Sequence, residues 1–362
     1  MAALAAELRA QGHRVTTFHE SEHTRWRMGS PLPRSALAAG GGAMFRHLFI
    51  GDVADMARDI VDLAGTCGAA LIVSDVMMPG GGLAAELAGL PWVSLSCNPL
   101  PELDAYRRFI PAHAVAAFAP ESTLESLGLP TDDDRSLLGR TSPWLHLIPA
   151  TPGFAGYPDL PDPVALVGPF AALPAAPTAA PAPDGAPPTV VVTASTHPAL
   201  QLGRHAFVQD RYVRAAVAAL GDLDVRGLVT APATGQPPAN VQYLGHIAHD
   251  EVFDRSAAVV THGGWGTVSR ALVRGLPLVL VPITGDQPYI AERCAALGLG
   301  ISVPADSVSA DHLRAAVRKI LHDPAYREAA AGFAAECRTL APLPTACSMI
   351  TASGRNIAST KP

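Results

Sequence analysis

The stretch AAVVTHGGWGTVSRALVRGLPLVLVPITGDQP, residues 257–288, decides the fold. Ala257-Ala258-Val259-Val260-Thr261 is a short apolar run of the kind required by a strand buried on both faces. His262-Gly263-Gly264 permits a tight turn, and Gly266 through Arg274 reads as a helix closed by Gly275 and stopped by Pro277. Leu278 to Val281 is a second buried strand, followed by Pro282-Ile283-Thr284-Gly285-Asp286-Gln287-Pro288 and a further helix. Strand, glycine turn and helix start together form an anion site: unpaired N–H groups at the helix N-terminus point at the ligand, the glycines let the backbone come close, and Thr267 adds a hydroxyl. Taken alone, the Gly-Gly turn reads equally well as a plain strand-to-helix link. The next unit favours the site. Asp286 and Gln287 lie just beyond a strand's carboxyl end, where an acid and an amide suit adjacent sugar-type hydroxyls. A helix N-cap is the other reading of Asp286.

The same rhythm extends upstream. Residues 189–193, 224–229 and 241–243 read as buried strands with helices between most of them, and residues 15–18, 70–74 and 92–95 repeat the pattern in the first half, with helices at 44–64 and 82–89. Between the halves, residues 171–188 are almost entirely alanine and proline, which suits an extended spacer. The expected fold class is α/β: two Rossmann-like doubly wound domains facing across a cleft. The expected boundaries are 1–172 for the first domain, 173–188 for the linker, 189–342 for the second domain and 343–362 for a tail that either returns to the first domain or ends free. The first domain opens on a helix over residues 1–11, ended by Gly12, with no strand before it. Its first strand is therefore expected to be missing, with Met1 internal to a longer protein.

Composition narrows the function classes. At 362 residues with 49% hydrophobic and 16% charged side chains, the chain reads as globular, and no run reaches the roughly 20 apolar residues of a spanning helix. A net charge of −6 argues against a nucleic-acid partner, since backbone binding rests on clustered Lys and Arg. Cys67, Cys97, Cys294, Cys337 and Cys347 are scattered, without zinc or redox spacing, which fits a cytoplasmic protein. No cofactor or metal is expected.

Residues 261–300 resemble the donor-binding signature of the inverting, metal-independent glycosyltransferases of the glycosyltransferase-B fold, a family that includes plant small-molecule glucosyltransferases and actinomycete enzymes that decorate antibiotics. Asn240 to Phe253 resembles that family's base-binding segment, and Thr193-Ala194-Ser195-Thr196 its first phosphate turn in the second domain. The resemblance implies that His262, Gly263, Gly264, Gly266 and Thr267 hold the diphosphate of a sugar nucleotide with Ser195 and Thr196 assisting. Asp286 and Gln287 would then hold the sugar, and His246 and the Ile247 backbone would meet the base. The family's tryptophan and ribose-gripping glutamate are replaced by His246 and Arg270, which favours a dTDP over a UDP donor. The catalytic pair is a histidine base, expected upstream of Met1 in a G-H-x-x-P turn, and an aspartate, matched by Asp75 before Ala84-Ala85-Glu86 and Leu90-Pro91.

The resemblance thus implies transfer of a sugar from a nucleoside-diphosphate donor to a hydroxyl of a small natural product. Two alternatives stand beside it: a catalytically impaired sugar-nucleotide-binding protein or auxiliary partner, and a nucleotide-sugar 2-epimerase. The partners expected are the donor and a small-molecule acceptor, with a homodimer compatible. Trp26, residues 40–47, Asn98 to Phe109 and Trp144 are candidate acceptor-pocket positions that suit core packing equally well. His13 reads as a helix-end residue, not a base. Asp132-Asp133-Asp134 reads as a helix-opening acidic cluster, and neither Gly40–Gly42 nor Gly80–Gly82 completes a dinucleotide fingerprint. His246 and His249 lack a third zinc ligand in the sequence.

Overall fold

The computed structural model describes residues 6, 8–16, 53–99, 121–131, 140–156, 160, 162–174, 185–195, 203–233 and 235–360, without the side chains of 203–205 and 355–360. The expectations for Thr17, Phe18, Trp26, residues 40–47, 100–109, 132–134, 175–184 and Thr196 lie outside these residues. Val15 and Thr16, expected to open a strand, are not in one, and Gly12 ends the helical residues before them with φ +88°.

Two parallel sheets organise the chain. The first, in the order β1-β2-β3-β4, comprises β1 (Ile72–Asp75), β2 (Trp92–Leu95), β3 (His146–Ile148) and β4 (Val164–Leu166). The helix α1 (Val53–Cys67) packs on α2 (Pro79–Ala88), which follows β1. Gly80, Gly81 and Gly82 are buried in the first turn of α2. A β-carbon on Gly81 would lie 2.1 Å from the Ser74 hydroxyl, so the missing side chain is what lets this helix rest directly on β1.

The second sheet has six strands: β5 (Thr189–Thr193), β6 (Arg226–Thr230), β7 (Val241–Tyr243), β8 (Ala258–Thr261), β9 (Leu278–Leu280) and β10 (Gly300–Ser302). Their order, β10-β9-β8-β5-β6-β7, reverses between β5 and β8, which is the doubly wound arrangement. Burial on both faces explains the valine-rich strands. Val190, Val192, Val260 and Val279 join one apolar cluster, while Val191, Val259, Leu278 and Leu280 join another on the opposite face. The first cluster is covered by α5 (Gly203–Gly221) and α9 (Ala310–His322). Over the other lie α7 (Trp265–Leu272), α8 (Gln287–Ala296) and α10 (Pro324–Leu340).

That second cluster also takes in Ile148, Ala150, Phe154 and Ala171, so the two domains share one apolar seam, with the Phe154 ring 4.9 Å from Trp265 and 6.0 Å from Phe333. The last helix, α11 (Pro342–Thr360), places Ala346 against Val93, Leu145 and Leu147 of the first sheet. Three strands, β3, β4 and β10, go beyond those read from the sequence. None of the described helices is long and apolar enough to cross a membrane.

Candidate donor-binding site

A cleft of about 510 Å3 opens where the strand order of the second sheet reverses, at the carboxyl ends of β5, β6 and β8. Ala194 and Ser195 follow β5, Thr230 ends β6, and His262 follows β8; Gly264, Trp265, Gly266 and Thr267 form the N-terminus of α7 beside it. His246, Ile247 and His249 close one side, and Arg270 stands on the second turn of α7. No carboxylate appears among the described lining residues.

Local sequence builds this geometry. Gly263 takes φ +90°, a conformation that a side chain resists, and turns the chain sharply after β8. Gly264 is the N-cap of α7 and offers no side-chain cap, leaving the first-turn amides open toward the cleft. A β-carbon on Gly264 would sit 2.6 Å from Nε2 of His262, so the imidazole occupies the space that the glycine vacates. Ser195 is fixed through its backbone: Gln209 Oε1 accepts from the Ser195 N–H at 2.8 Å. A row of amides, three hydroxyls and three imidazoles can orient a phosphate group.

The structure therefore brings Ser195, His246, Ile247, His262, Gly264, Gly266 and Thr267 to one cleft. Gly263 shapes the turn but does not line it. Asp286 and Gln287 also stand apart from the lining. The Gln287 side-chain amide oxygen, Oε1, is engaged locally, accepting from the Ile283 and Thr284 N–H groups at 2.8 and 3.1 Å. Asp286 holds the N-cap position of α8 without capping it. Its carboxyl instead hydrogen-bonds the buried side chain of Asn98, in the first domain. Burial pushes the Asp286 carboxyl up to about 6, offset in part by its own backbone N–H and by Asn98. Asp75 is the last residue of β1 and accepts from the Met77 N–H at 2.7 Å, which fixes the carboxylate at the strand's carboxyl end. His13 is exposed, its N–H bonded to the Leu8 carbonyl at the helix end.

Thr230, His249, Trp265 and Arg270 are lining residues that the sequence did not mark as donor contacts. The Thr230 hydroxyl and the Trp265 indole N–H are buried without a hydrogen-bond partner among the described residues. The position of Thr230, one residue past an apolar run, was the available signal, because ligands of doubly wound sheets gather at strand ends. His249 stacks on Phe253, and burial first, then the Arg270 guanidinium, lower its basicity against a smaller opposing effect of Asp250.

Comparison with known proteins agrees with this architecture. Residues 214–351 match the erythromycin biosynthesis protein CIII-like C-terminal domain. The chain is 29% identical over 325 residues to the 4'-demethylrebeccamycin synthase of Lentzea aerocolonigenes, covering 80% of this chain and 75% of that protein. The crystal structure of the glycotransferase of kitacinnamycin superposes with a TM-score of 0.74 at 21% identity, over 100% of this chain and 90% of that one. The glycosyltransferase VinC, in complex with dTDP, gives 0.63 at 21% identity, over 87% and 78%. Residues 214–351 are thus similar to the CIII-like C-terminal domain, and the chain has the two-domain, doubly wound architecture of the glycosyltransferase-B fold.

Proposed function

We propose that the protein transfers a sugar from a nucleoside diphosphate, dTDP before UDP, to a hydroxyl of a small natural product, with inversion and without a metal ion. The observation that carries this reading is the cleft at the strand-order reversal, lined by the open N-terminus of α7 and, among the described residues, by no carboxylate. Such a surface suits a diphosphate that leaves with a growing negative charge, because fixed amide dipoles stabilise it most as the bond breaks. The dTDP preference draws on the replacement of the family's ribose-gripping glutamate by Arg270 and on the dTDP bound to VinC.

In this scheme the amides of Gly264 to Thr267, with Ser195, Thr196 and His262, hold the diphosphate, and the Ile247 backbone and His246 meet the base. Asp286 and Gln287, which stand beyond the cleft lining, are assigned to the sugar by the family resemblance. The acceptor hydroxyl gives its proton to a histidine base oriented by Asp75. Its oxygen then bonds to the anomeric carbon from the face opposite the diphosphate, which departs with the electron pair of the broken C–O bond.

The test is a panel of dTDP- and UDP-hexoses with hydroxylated aromatic and polyketide acceptors. Glycoside formation is read by mass spectrometry, and binding of dTDP and UDP by calorimetry. Glycoside plus free nucleoside diphosphate is the expected result. Failure to bind either nucleotide would overturn the reading, as would an epimerised nucleotide sugar formed without acceptor.

A further inference from the structure

We infer that Arg270 is a further donor-binding residue, whose guanidinium reads the negative charge of the nucleoside diphosphate from beside the N-terminus of α7. The inference rests on the donor reading of the cleft and adds a residue to it. Three observations converge.

The side chain runs back along its own helix: Nη1 donates to the Gly266 carbonyl at 2.9 Å, and a β-carbon on Gly266 would stand 3.6 Å from the same atom. The charge is thereby carried toward the first turn, where the amides open.

The charge is also available. Asp250 is the nearest acid, but its carboxylate already pairs with the buried Arg274 at 2.9 Å, while Arg270 stands 4.0 Å from it. Arg274 is further matched by Asp254 at 2.6 Å. Turning the Arg270 head group to a ligand therefore strands no buried carboxylate. With its side chain 42% exposed, it gives up only part of a hydration shell in the free protein.

Finally, Arg270 is the only Arg or Lys among the described lining residues, and no acid lines the cleft. Its neighbour His249 is held toward the neutral form by burial and by Arg270 itself. The permanent positive charge of the cleft is thus concentrated on one side chain. A guanidinium presents forked donors that fit phosphate oxygens, and such charge-assisted bonds are stronger than those to neutral acceptors.

The experiment is calorimetric titration of the full chain with dTDP and with UDP, for wild type, Arg270→Ala, Arg270→Gln and Arg270→Lys, at about 50 and about 300 mM NaCl. Arg270→Ala and Arg270→Gln should each weaken both diphosphates about tenfold or more at the lower salt, and Arg270→Lys should restore a large part. Wild-type affinity should fall with salt more steeply than that of Arg270→Ala. Unaltered binding in Arg270→Ala overturns the inference, as does a loss that is equal in Arg270→Lys and insensitive to salt. Absence of wild-type binding to both nucleotides would sink the donor reading itself, an outcome distinct from unaltered binding in the variants.

Discussion

Thr230 shows how a single side chain can report a missing partner. Its hydroxyl ends β6 at the cleft, 5% exposed, with no hydrogen-bond partner among the described residues. A buried hydroxyl left unpaired costs about 1–3 kcal/mol, so the free protein carries a penalty that a ligand atom can relieve. Thr230→Val keeps the shape and removes the hydroxyl. The free protein should melt at the wild-type temperature or above, whereas nucleotide affinity should fall by about fivefold to tenfold, roughly one hydrogen bond. Calorimetry paired with thermal unfolding checks both halves, and a variant that binds like wild type would show that no ligand atom reaches the hydroxyl. Little in the sequence marks this residue, since threonine at a strand end has no signature of its own. His262 and Gly264 were legible because the turn and the helix start are written in adjacent residues. Thr230 joins them only through the strand order, which sets β6 beside β5 and β5 beside β8, whereas Arg270 reaches them along α7 itself.

The short helix α4 (Pro152–Ala155) is held at both ends by the second domain. At its N-terminus the Glu336 carboxylate accepts from the Gly153 N–H at 2.9 Å and from the Thr151 hydroxyl at 2.8 Å. At its C-terminus Arg293 donates to the Phe154 carbonyl at 2.8 and 3.0 Å. An acid at the positive end and a cation at the negative end match the helix dipole. Glu336→Ala leaves the fully buried Thr151 side chain and an amide without their acceptor, and should cost about 1–3 kcal/mol in urea unfolding. Glu336→Gln, which keeps an acceptor, should recover part of it. An Ala variant as stable as wild type would mean that the clamp adds nothing beyond the Phe154, Trp265 and Phe333 rings at the same seam. Elements of this size set the limit of sequence reading. Strands β5, β7 and β2 were legible to the residue, β5 because its consecutive β-branched residues leave few alternatives, β7 and β2 because β-branched and aromatic residues dominate short runs between turn signals. The three-residue strands β3 and β10 carry opposing signals. His146 is accommodated in β3 by a 2.8 Å hydrogen bond to Ser94 on the neighbouring strand, and burial pushes its pKa down to about 4. Gly300 opens β10 where a β-carbon would lie 2.3 Å from the Leu278 carbonyl, so a residue that reads as a turn is required by close strand approach.

Across the whole molecule, the contact between Asp286 and Asn98 joins the two domains beside the apolar seam, and its protonation state ties their docking to pH. The Ser96 hydroxyl lies 2.9 Å from the Asn98 backbone carbonyl and 3.3 Å from Asn98 Oδ1, and the Asn98 side chain hydrogen-bonds the carboxyl of Asp286. Burial still dominates and raises that carboxyl from 3.8 to about 6. A raised pKa means that the folded protein favours the protonated acid. The associated stability is complete below 3.8 and is lost as pH rises through about 6. Asp286→Asn does not titrate, so the stability difference between wild type and Asp286→Asn should move against the wild type between those values and stay level above them. Asn98→Ala removes a bond that favours the ionised form, and should carry the upper edge of this window above 6. Thermal unfolding of the three proteins from about pH 4 to about pH 8 reads the effect directly, the window being set by where the folded and unfolded acids titrate. A wild-type to Asp286→Asn difference independent of pH would show that the carboxyl titrates alike in both states. If the window appears but Asn98→Ala leaves it in place, the bond across the domains does not hold the charge, and Asp286 answers to the second domain alone.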